Sequence, residues 1–284
     1  MSDLHQQLVR MVDKMPAFPG SVNQILQMTS AIDCAPKDLV QVIEHDPVMM
    51  AKILKLVNSA YFGLSREITS IKHGVVFVGL NTIKNLAISI ATMGMLPKTG
   101  PAGLDMNSFL LHSLGTASIA KLLGKRLGGS ADKATDYFVG GLLHDIGKVV
   151  FAQFMPQEME RALKRVEMEG VSLSIAETIE IGADHTQLGG MLAEKWQLPH
   201  TLVTCIKEHH NQELQGDTDN KVLDCVVAAN IIVKRIEFGC AGNLIEDELP
   251  DHVSARFGMD LDELQESIEN LDEELEKVNA FIRV

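Results

Sequence analysis

Apolar residues recur at helical spacing in almost every segment of this 284-residue chain, and that periodicity constrains the fold more than any other feature. The longest example runs from Met106 to Leu127, where Phe, Leu and Ile side chains share one face. One β-branched run, Gly74 to Val78, is short and is flanked by helical pattern on both sides. The sequence therefore predicts an all-α fold.

Proline and glycine divide this helical pattern into parts. The clearest linker is 97–103, which is rich in both residues and has no apolar periodicity. We predict an N-terminal helical subdomain at 1–96, a second helical subdomain at 104–240, and an acidic C-terminal segment at 241–284. A single amphipathic helix is predicted there from Leu261 to Ile282. We expect it to dock on its own chain, with a homodimer through a short coiled coil as the alternative.

The net charge of −13 is concentrated in the C-terminal segment. Residues 245–284 contain thirteen acidic and three basic side chains, so the rest of the chain is close to neutral. Neither part has a basic stripe, which argues against direct nucleic-acid binding. No apolar run approaches the roughly 18 to 20 residues of a membrane span, and the N-terminus lacks the apolar core of a signal peptide. These features predict a soluble, cytoplasmic protein without a membrane partner.

A histidine and an aspartate, His144 and Asp145, stand together at the end of a predicted helix. Gly147 is expected to end that helix in the left-handed conformation, and Lys148 to begin the next apolar run. An imidazole and a carboxylate held in this way can ligate the same divalent ion. They can equally bond to backbone groups at the helix end. This segment alone leaves both interpretations open.

Four more histidines are placed where they could join this pair. His112 lies on the core face of the long predicted helix, His185 lies in the first turn of another, and His209 and His210 are adjacent at a helix terminus. Each also has a structural interpretation, as a hydrogen-bonded core residue, an exposed first-turn residue or a partner of a helix carboxyl end. The last interaction contributes about 0.3 to 1 kcal/mol when the histidine is protonated.

A second His-Asp pair, His45 and Asp46, has a different explanation. Asp46 is followed by Pro47, and an aspartate cap before a proline in the first helical position is a helix start signal. We therefore predict that Asp46 caps a helix and that the pair binds no metal.

Four N-terminal motifs share a pattern typical of one family. They are Met15-Pro16-Ala17-Phe18-Pro19, Ile43-Glu44-His45-Asp46-Pro47-Val48-Met49, Leu56-Val57-Asn58-Ser59-Ala60-Tyr61-Phe62-Gly63 and Ile68-Thr69-Ser70-Ile71. Together they resemble the HDOD domain, a bacterial, all-helical signalling relative of HD-superfamily phosphohydrolases. The resemblance runs from about Met15 to Gly239 and implies that the C-terminal helical subdomain is HD-phosphohydrolase-like. Asn58, Ser59 and Tyr61 would then end a helix and tie the two halves together.

The resemblance also implies a metal site. In HD-superfamily enzymes, histidines and aspartates from several helices bind one or two divalent ions that activate water against a phosphoester. Lys148 would then stabilise charge on the phosphate, and with Asp145 it would be catalytic in an active enzyme. The divalent metal would be Fe, Mn, Mg or Zn. The implied metal ligands are His112, His144, Asp145, His185, His209 and His210.

Three departures from the enzyme pattern argue against efficient hydrolysis. Asn230 stands where the family has its last metal-binding aspartate, Ser108 stands where an acidic ligand precedes His112, and no Gly-Tyr-Pro follows His210. Losing two carboxylates lowers the negative charge that holds two dications. The expected function is therefore a regulatory output module that contacts an unidentified signalling protein, with weak or no hydrolysis. The alternatives are a metal-dependent phosphohydrolase acting on a nucleotide or other phosphoester, and a metal site that senses or stabilises without turnover.

Overall fold

The computed structural model describes residues 3–29, 35–58, 64, 66–97, 100, 103–129, 133–211, 220–242 and 248–282. Within these ranges every regular element is a helix, which confirms the predicted all-α fold. The helices up to residue 96 are α1 (Asp3–Lys14), α2 (Gly20–Thr29), α3 (Pro36–Glu44), α4 (Pro47–Val57), α5 (Ile71–Val78) and α6 (Leu80–Met95). Those between 104 and 240 are α7 (Met106–Arg126), α8 (Ala134–Leu143), α9 (Ile146–Phe154), α10 (Pro156–Glu169), α11 (Leu173–Glu180), α12 (His185–Lys195), α13 (His200–Glu208) and α14 (Lys221–Arg235). The C-terminal segment contributes α15 (Asp251–Phe257), α16 (Leu261–Glu266) and α17 (Leu271–Ile282).

The end of α3 and the beginning of α4 have the predicted capping arrangement. The Asp46 carboxylate accepts from the Met49 amide at 3.0 Å, and Pro47 occupies the first helical position. His45 bonds through its ring to the Gln41 carbonyl at 2.7 Å. The pair therefore shapes a helix junction, as predicted.

Asn58, at the end of α4, ties that helix to the segment before α5. Its side-chain amide donates to the Ile68 carbonyl at 2.8 Å and its oxygen accepts from the Ile68 amide at 2.7 Å. Asn58 thus ends α4 as expected, but the contact lies within the N-terminal half, and its role in tying the two halves together stays a prediction. Ser59 and Tyr61 lie outside the described residues.

Helix α7 is central to the packing of the second half of the chain. It packs against α8, α14 and α17, while α12 packs against α9 and α13. The first half reaches this group at two places, where α6 contacts α8 and where α1 contacts α9 and α12. Boundaries at 96, 104 and 240 stay a prediction, and part of the predicted linker lies outside the described residues.

Helices α5 and α6 meet at a sharp corner. Gly79, between them, has φ +89°, a conformation that favours glycine. Among the described helices, none alone has the length and apolar character needed to cross a bilayer. Taken together, α5 and α6 satisfy both conditions, but a bend of 118° separates them.

The C-terminal segment differs from its prediction. A single helix from Leu261 to Ile282 is wrong, because α16 ends at Glu266 and α17 begins at Leu271. Asn270, just before α17, has φ +57°, and a left-handed residue cannot continue a right-handed helix. Helix α17 packs against α7 of its own chain. Pairing with a second copy stays a prediction.

Candidate metal centre

Five histidines and one aspartate, contributed by separate helices, converge in the interior. Nε2 of His112 and of His144 lie 3.6 and 3.2 Å from Oδ2 of Asp145. Nε2 of His185 and of His209 lie 3.3 and 3.5 Å from its Oδ1. The elements that position them are α7 for His112, the junction of α8 and α9 for His144 and Asp145, and the first residue of α12 for His185.

His210 completes the group at the end of α13. Its ring centroid lies 4.2 Å from that of His209 and 5.1 Å from that of His185. The ligand atoms form two sets that share Asp145, with all atoms of a set within 4.8 Å of one another. The structure thus brings together all six predicted ligands, and their binding of a metal stays a prediction.

Hydrogen bonds orient three of the rings. Nδ1 of His144 lies 2.7 Å from the Gly141 carbonyl oxygen, and Nδ1 of His209 lies 3.0 Å from that of Ile206. Nδ1 of His185 lies 2.5 Å from a Glu177 carboxylate oxygen. Because these oxygens only accept, each Nδ1 carries a proton. In the neutral ring, Nε2 therefore presents a lone pair to the centre.

These lone pairs make the pocket fit a cation. The Nε2 atoms of all five histidines and Oδ1 of Asp145 are buried without a hydrogen-bond partner among the described residues. Leaving a buried polar group unsatisfied costs about 1 to 3 kcal/mol, so six buried polar atoms that face one another without partners are unfavourable by themselves. One or more divalent ions held by these six residues would satisfy them together.

The Asp145 carboxylate is ionised. Burial acts to raise its pKa, but the neighbouring His144 and Lys148 outweigh burial and hold the pKa well below its usual range. The Lys148 ammonium donates to Oδ2 at 2.7 Å, and both side chains are 1% exposed. Lys148 therefore neutralises much of the negative charge that the centre contains.

Most of the imidazoles are held neutral by burial. Burial lowers the pKa of His209 to about 3 and lowers those of His112 and His210 well below the ordinary value. His185 is different. Burial acts to lower its pKa, but the Glu177 carboxylate and the nearby Asp145 carboxylate raise the pKa above its ordinary value. The lone pairs of His112, His209 and His210 are thus available near neutral pH.

Most of the chain matches one known family. The model of the HDOD domain matches residues 15–212 of the chain. This chain belongs to the HDOD family. The match ends before Gly239, where the sequence resemblance was expected to end.

One solved structure agrees with this assignment, and two curated relatives are similar over part of their length. An HDOD domain protein of unknown function from Geobacter sulfurreducens has a crystal structure with a TM-score of 0.82 and 27% identity, covering 98% of this chain and 96% of that chain. An uncharacterized protein from Treponema pallidum is 27% identical over 226 residues, 80% of this chain and 43% of the relative. A protein named Ribonuclease Y from Fervidobacterium nodosum is 24% identical over 182 residues, 64% of this chain and 28% of the relative. The HDOD chain thus spans less than half the length of the curated relatives it matches.

Two positions that differ from the HD-enzyme pattern lie on α14 and α7. Asn230 lies on α14, 3% exposed, and its Oδ1 has no hydrogen-bond partner among the described residues. The Ser108 carbonyl, one turn before His112 on α7, accepts from the Cys240 amide at 3.1 Å. Neither side chain supplies a carboxylate, so Asp145 is the one carboxylate among the predicted ligands.

Gly147 has another role in this HDOD chain than the one predicted. It lies inside α9 and is absent from the residues with positive φ, so its prediction as a left-handed helix end is wrong. A Cβ at this position would overlap the carbonyl oxygen of His185 and lie 2.9 Å from the Gly189 amide nitrogen. The missing side chain lets α9 approach α12 closely enough for Asp145 to meet His185.

One functional residue, Glu177 on α11, was missed by the sequence interpretation. It is fully buried, and its Oε2 accepts from both the ring Nδ1 and the backbone amide of His185, at 2.5 and 2.8 Å. Glu177 could have been found from its position four residues after Leu173, which places it on the buried face of a helix. An acid on such a face requires a partner, but the spacing does not indicate which one.

Proposed function

We propose that this HDOD chain is a cytoplasmic regulatory module that binds a divalent metal ion and acts through contacts with a signalling protein, with little or no hydrolysis. The observation that carries the proposal is the buried cluster of five Nε2 atoms around Asp145, all without a hydrogen-bond partner among the described residues. Imidazole ligands suit Fe and Zn better than Mg, which prefers oxygen. We therefore expect iron or zinc.

Burial and charge both favour holding a metal over turnover. The side chains of His112, His144, Asp145, His185 and His209 are at most 4% exposed. A catalytic metal needs an open coordination position and a path for the substrate. Asp145 is also paired with Lys148, so little negative charge remains to hold two dications.

The second candidate is a metal-dependent phosphohydrolase acting on a nucleotide or other phosphoester. Two overlapping ligand sets that share Asp145 favour it, as does the similarity to a protein named as a ribonuclease. A bound ion would supply an activated water and polarise a phosphoryl oxygen. Lys148 would stabilise phosphate charge only after leaving its contact with Asp145 at 2.7 Å.

Metal analysis of the full chain tests metal binding. We expect the wild type to bind Fe²⁺ or Zn²⁺, and the Asp145→Ala and His209→Ala variants to lose that metal. His200→Ala is the matched control, because His200 is exposed on the same helix, α13, that ends beside His209. A wild type that binds neither ion after incubation with both would overturn the proposal.

Hydrolysis assays separate the regulatory module from the enzyme. The metal-loaded wild type and Asp145→Ala should give the same background rate on a panel of nucleotide and other phosphoester substrates with Mn²⁺ or Fe²⁺. Turnover that requires both the metal and Asp145 would replace the regulatory proposal with the phosphohydrolase.

A further inference from the structure

Among the described residues, the Glu177 carboxylate forms hydrogen bonds with one neighbour, His185. Its Oε2 accepts two hydrogen bonds from His185, one from the ring and one from the backbone amide, at 2.5 and 2.8 Å. Its Oε1 is buried without a partner among the described residues. A buried carboxylate with one oxygen fully used by a single residue has a specific task, because burying it without compensation is costly.

The two bonds determine which ring nitrogen of His185 is available. With its proton on Nδ1, directed at Glu177, the neutral ring presents the Nε2 lone pair to the centre, 3.3 Å from Oδ1 of Asp145. In the other tautomer, Nε2–H would donate to that same oxygen. That arrangement would remove both His185 and one oxygen of Asp145 from the ligand set.

Glu177 also differs in charge from the groups that orient the other rings. Backbone carbonyls accept from Nδ1 of His144 and His209, whereas a carboxylate accepts from Nδ1 of His185. A carboxylate partner makes a ligating imidazole more basic. It also places a second negative charge beside a centre whose one ligating carboxylate is paired with Lys148.

We infer that Glu177 is a positioning residue that holds His185 in its metal-ligating tautomer and replaces part of the charge lost from the ligand set. The inference rests on the proposed metal binding. It assigns a role in the centre to α11, a helix that contributes none of the six ligands.

Two substitutions separate orientation from charge. Glu177→Gln can keep an oxygen acceptor for both hydrogen bonds but removes the charge. Glu177→Leu removes both, so Zn²⁺ affinity measured by chelator competition should fall about 10- to 100-fold, the usual cost of losing such a partner. The Gln variant keeps the orienting bonds, so its Zn²⁺ affinity should fall by about 10-fold, the lower end of that range. Glu180→Gln is the matched control, since Glu180 lies on the same helix but pairs with Arg161 and Arg165.

A second readout follows the tautomer itself in metal-free protein labelled with ¹⁵N-histidine. Long-range ¹H–¹⁵N correlations should show the His185 proton on Nδ1 in the wild type, in Glu177→Gln and in Glu180→Gln. In Glu177→Leu the signal should move toward the other tautomer or a mixture. Unchanged His185 shifts in a folded Leu variant would contradict the orienting role.

The outcomes distinguish this inference from the proposed function. Zinc binding that is the same in wild type, Glu177→Gln and a folded Glu177→Leu overturns the role of Glu177 and leaves the metal module intact. An absence of zinc binding in the wild type overturns both. Thermal unfolding in chelator establishes whether Glu177→Leu folds, and where it does not, the isosteric Gln variant decides.

Discussion

Asp145 is the residue on which the centre depends, because it contacts four imidazoles and one ammonium group. In metal-free protein its nearest charged partner is Lys148, which is equally buried. Replacing Asp145 leaves that ammonium without its counter-charge. Loss of one partner from a buried ion pair costs about 3 to 5 kcal/mol.

We therefore expect Asp145→Asn to lower the free energy of unfolding by about 3 to 5 kcal/mol, measured by urea denaturation in chelator. Adding Lys148→Met should recover most of that loss, since the stranded charge is then removed. A double variant as unstable as the single one would show that the ion pair does not dominate the stability of the metal-free centre.

Asp136, in the first turn of α8, makes the stability of the fold depend on pH. Burial raises its pKa to about 6, and Lys133 and Lys84 only partly oppose this. A carboxyl group with a raised pKa is fully compatible with folding below its unfolded pKa. Its destabilising effect grows as pH rises from the unfolded pKa of 3.8 to the folded pKa of about 6 and is constant above that, because only the unfolded chain ionises freely in this range.

Asp136→Asn should therefore gain stability relative to wild type between pH 4.5 and pH 7, by about 2 kcal/mol for a pKa shift from 3.8 to about 6. Urea denaturation of both proteins at the two pH values measures it. Asp251→Asn is the matched control, since Asp251 is exposed in the first turn of α15. An equal gain in both variants would contradict a specific effect of Asp136.

Individual residues of the centre differ in how well the sequence predicted their roles. The family resemblance, together with histidines at helix ends and on a core face, identified all six residues that converge, because family motifs and helical spacing both indicate which side chains point inward. Glu177 and Gly147 were missed or misassigned for a shared reason. Their roles depend on contacts between helices, and a single sequence contains no direct record of which helices touch.

At the scale of elements, the approach of α9 to α12 determines whether the centre can form. Gly147→Ala would place a methyl group against the carbonyl of His185 and force the helices apart. We expect a loss of about 1 to 3 kcal/mol in stability from overpacking, with a marked loss of Zn²⁺ affinity. Thermal unfolding in chelator and chelator competition measure the two effects.

Gly94→Ala provides the matched control for that substitution. Gly94 lies in α6, and a Cβ there would meet nothing within 4 Å. This variant should keep its metal affinity and gain about 0.5 to 1 kcal/mol, as expected for alanine in a helix interior. A Gly147→Ala protein that binds Zn²⁺ like wild type would show that the close approach is not required.

Elements differ in how well the sequence predicted them. The cap at Asp46 follows local rules and forms as predicted, since its carboxylate accepts from an amide of its own helix. The break between α16 and α17 does not follow such a rule. The leucine spacing of the predicted helix continues through the break, and the left-handed Asn270 is the residue that interrupts the helix.

On the scale of the whole molecule, both terminal segments pack on helices that carry ligands. Helix α1 lies against α9 and α12, and its end is fastened there because the Lys195 ammonium donates to the Val12 carbonyl at 2.7 Å. Trp196 donates to the Pro16 carbonyl at 3.0 Å. At the other end, α17 lies against α7, which carries His112. A regulatory metal would therefore act on helices that support both ends of the chain.

The C-terminal segment is also joined to α14 through a buried ion pair. Asp224 is fully buried and accepts from the Arg256 guanidinium on α15, with the His252 ring 3.7 Å from its other oxygen. A second pair, Arg235 with Asp262 on α16, spans the same boundary at 2.5 Å but is exposed at 38% and 71%. Two ion pairs across one boundary thus differ chiefly in burial.

This difference predicts unequal effects of matched substitutions. Arg256→Met should lower the free energy of unfolding by about 3 kcal/mol, because the Asp224 charge stays buried after its strongest partner is lost. Arg235→Met should cost no more than about 1 kcal/mol, as for exposed pairs. Urea denaturation measures both, and hydrogen exchange should show faster exchange across α15 to α17 in Arg256→Met alone. Equal losses in the two variants would mean that burial of Asp224 does not determine how firmly the C-terminal segment is attached.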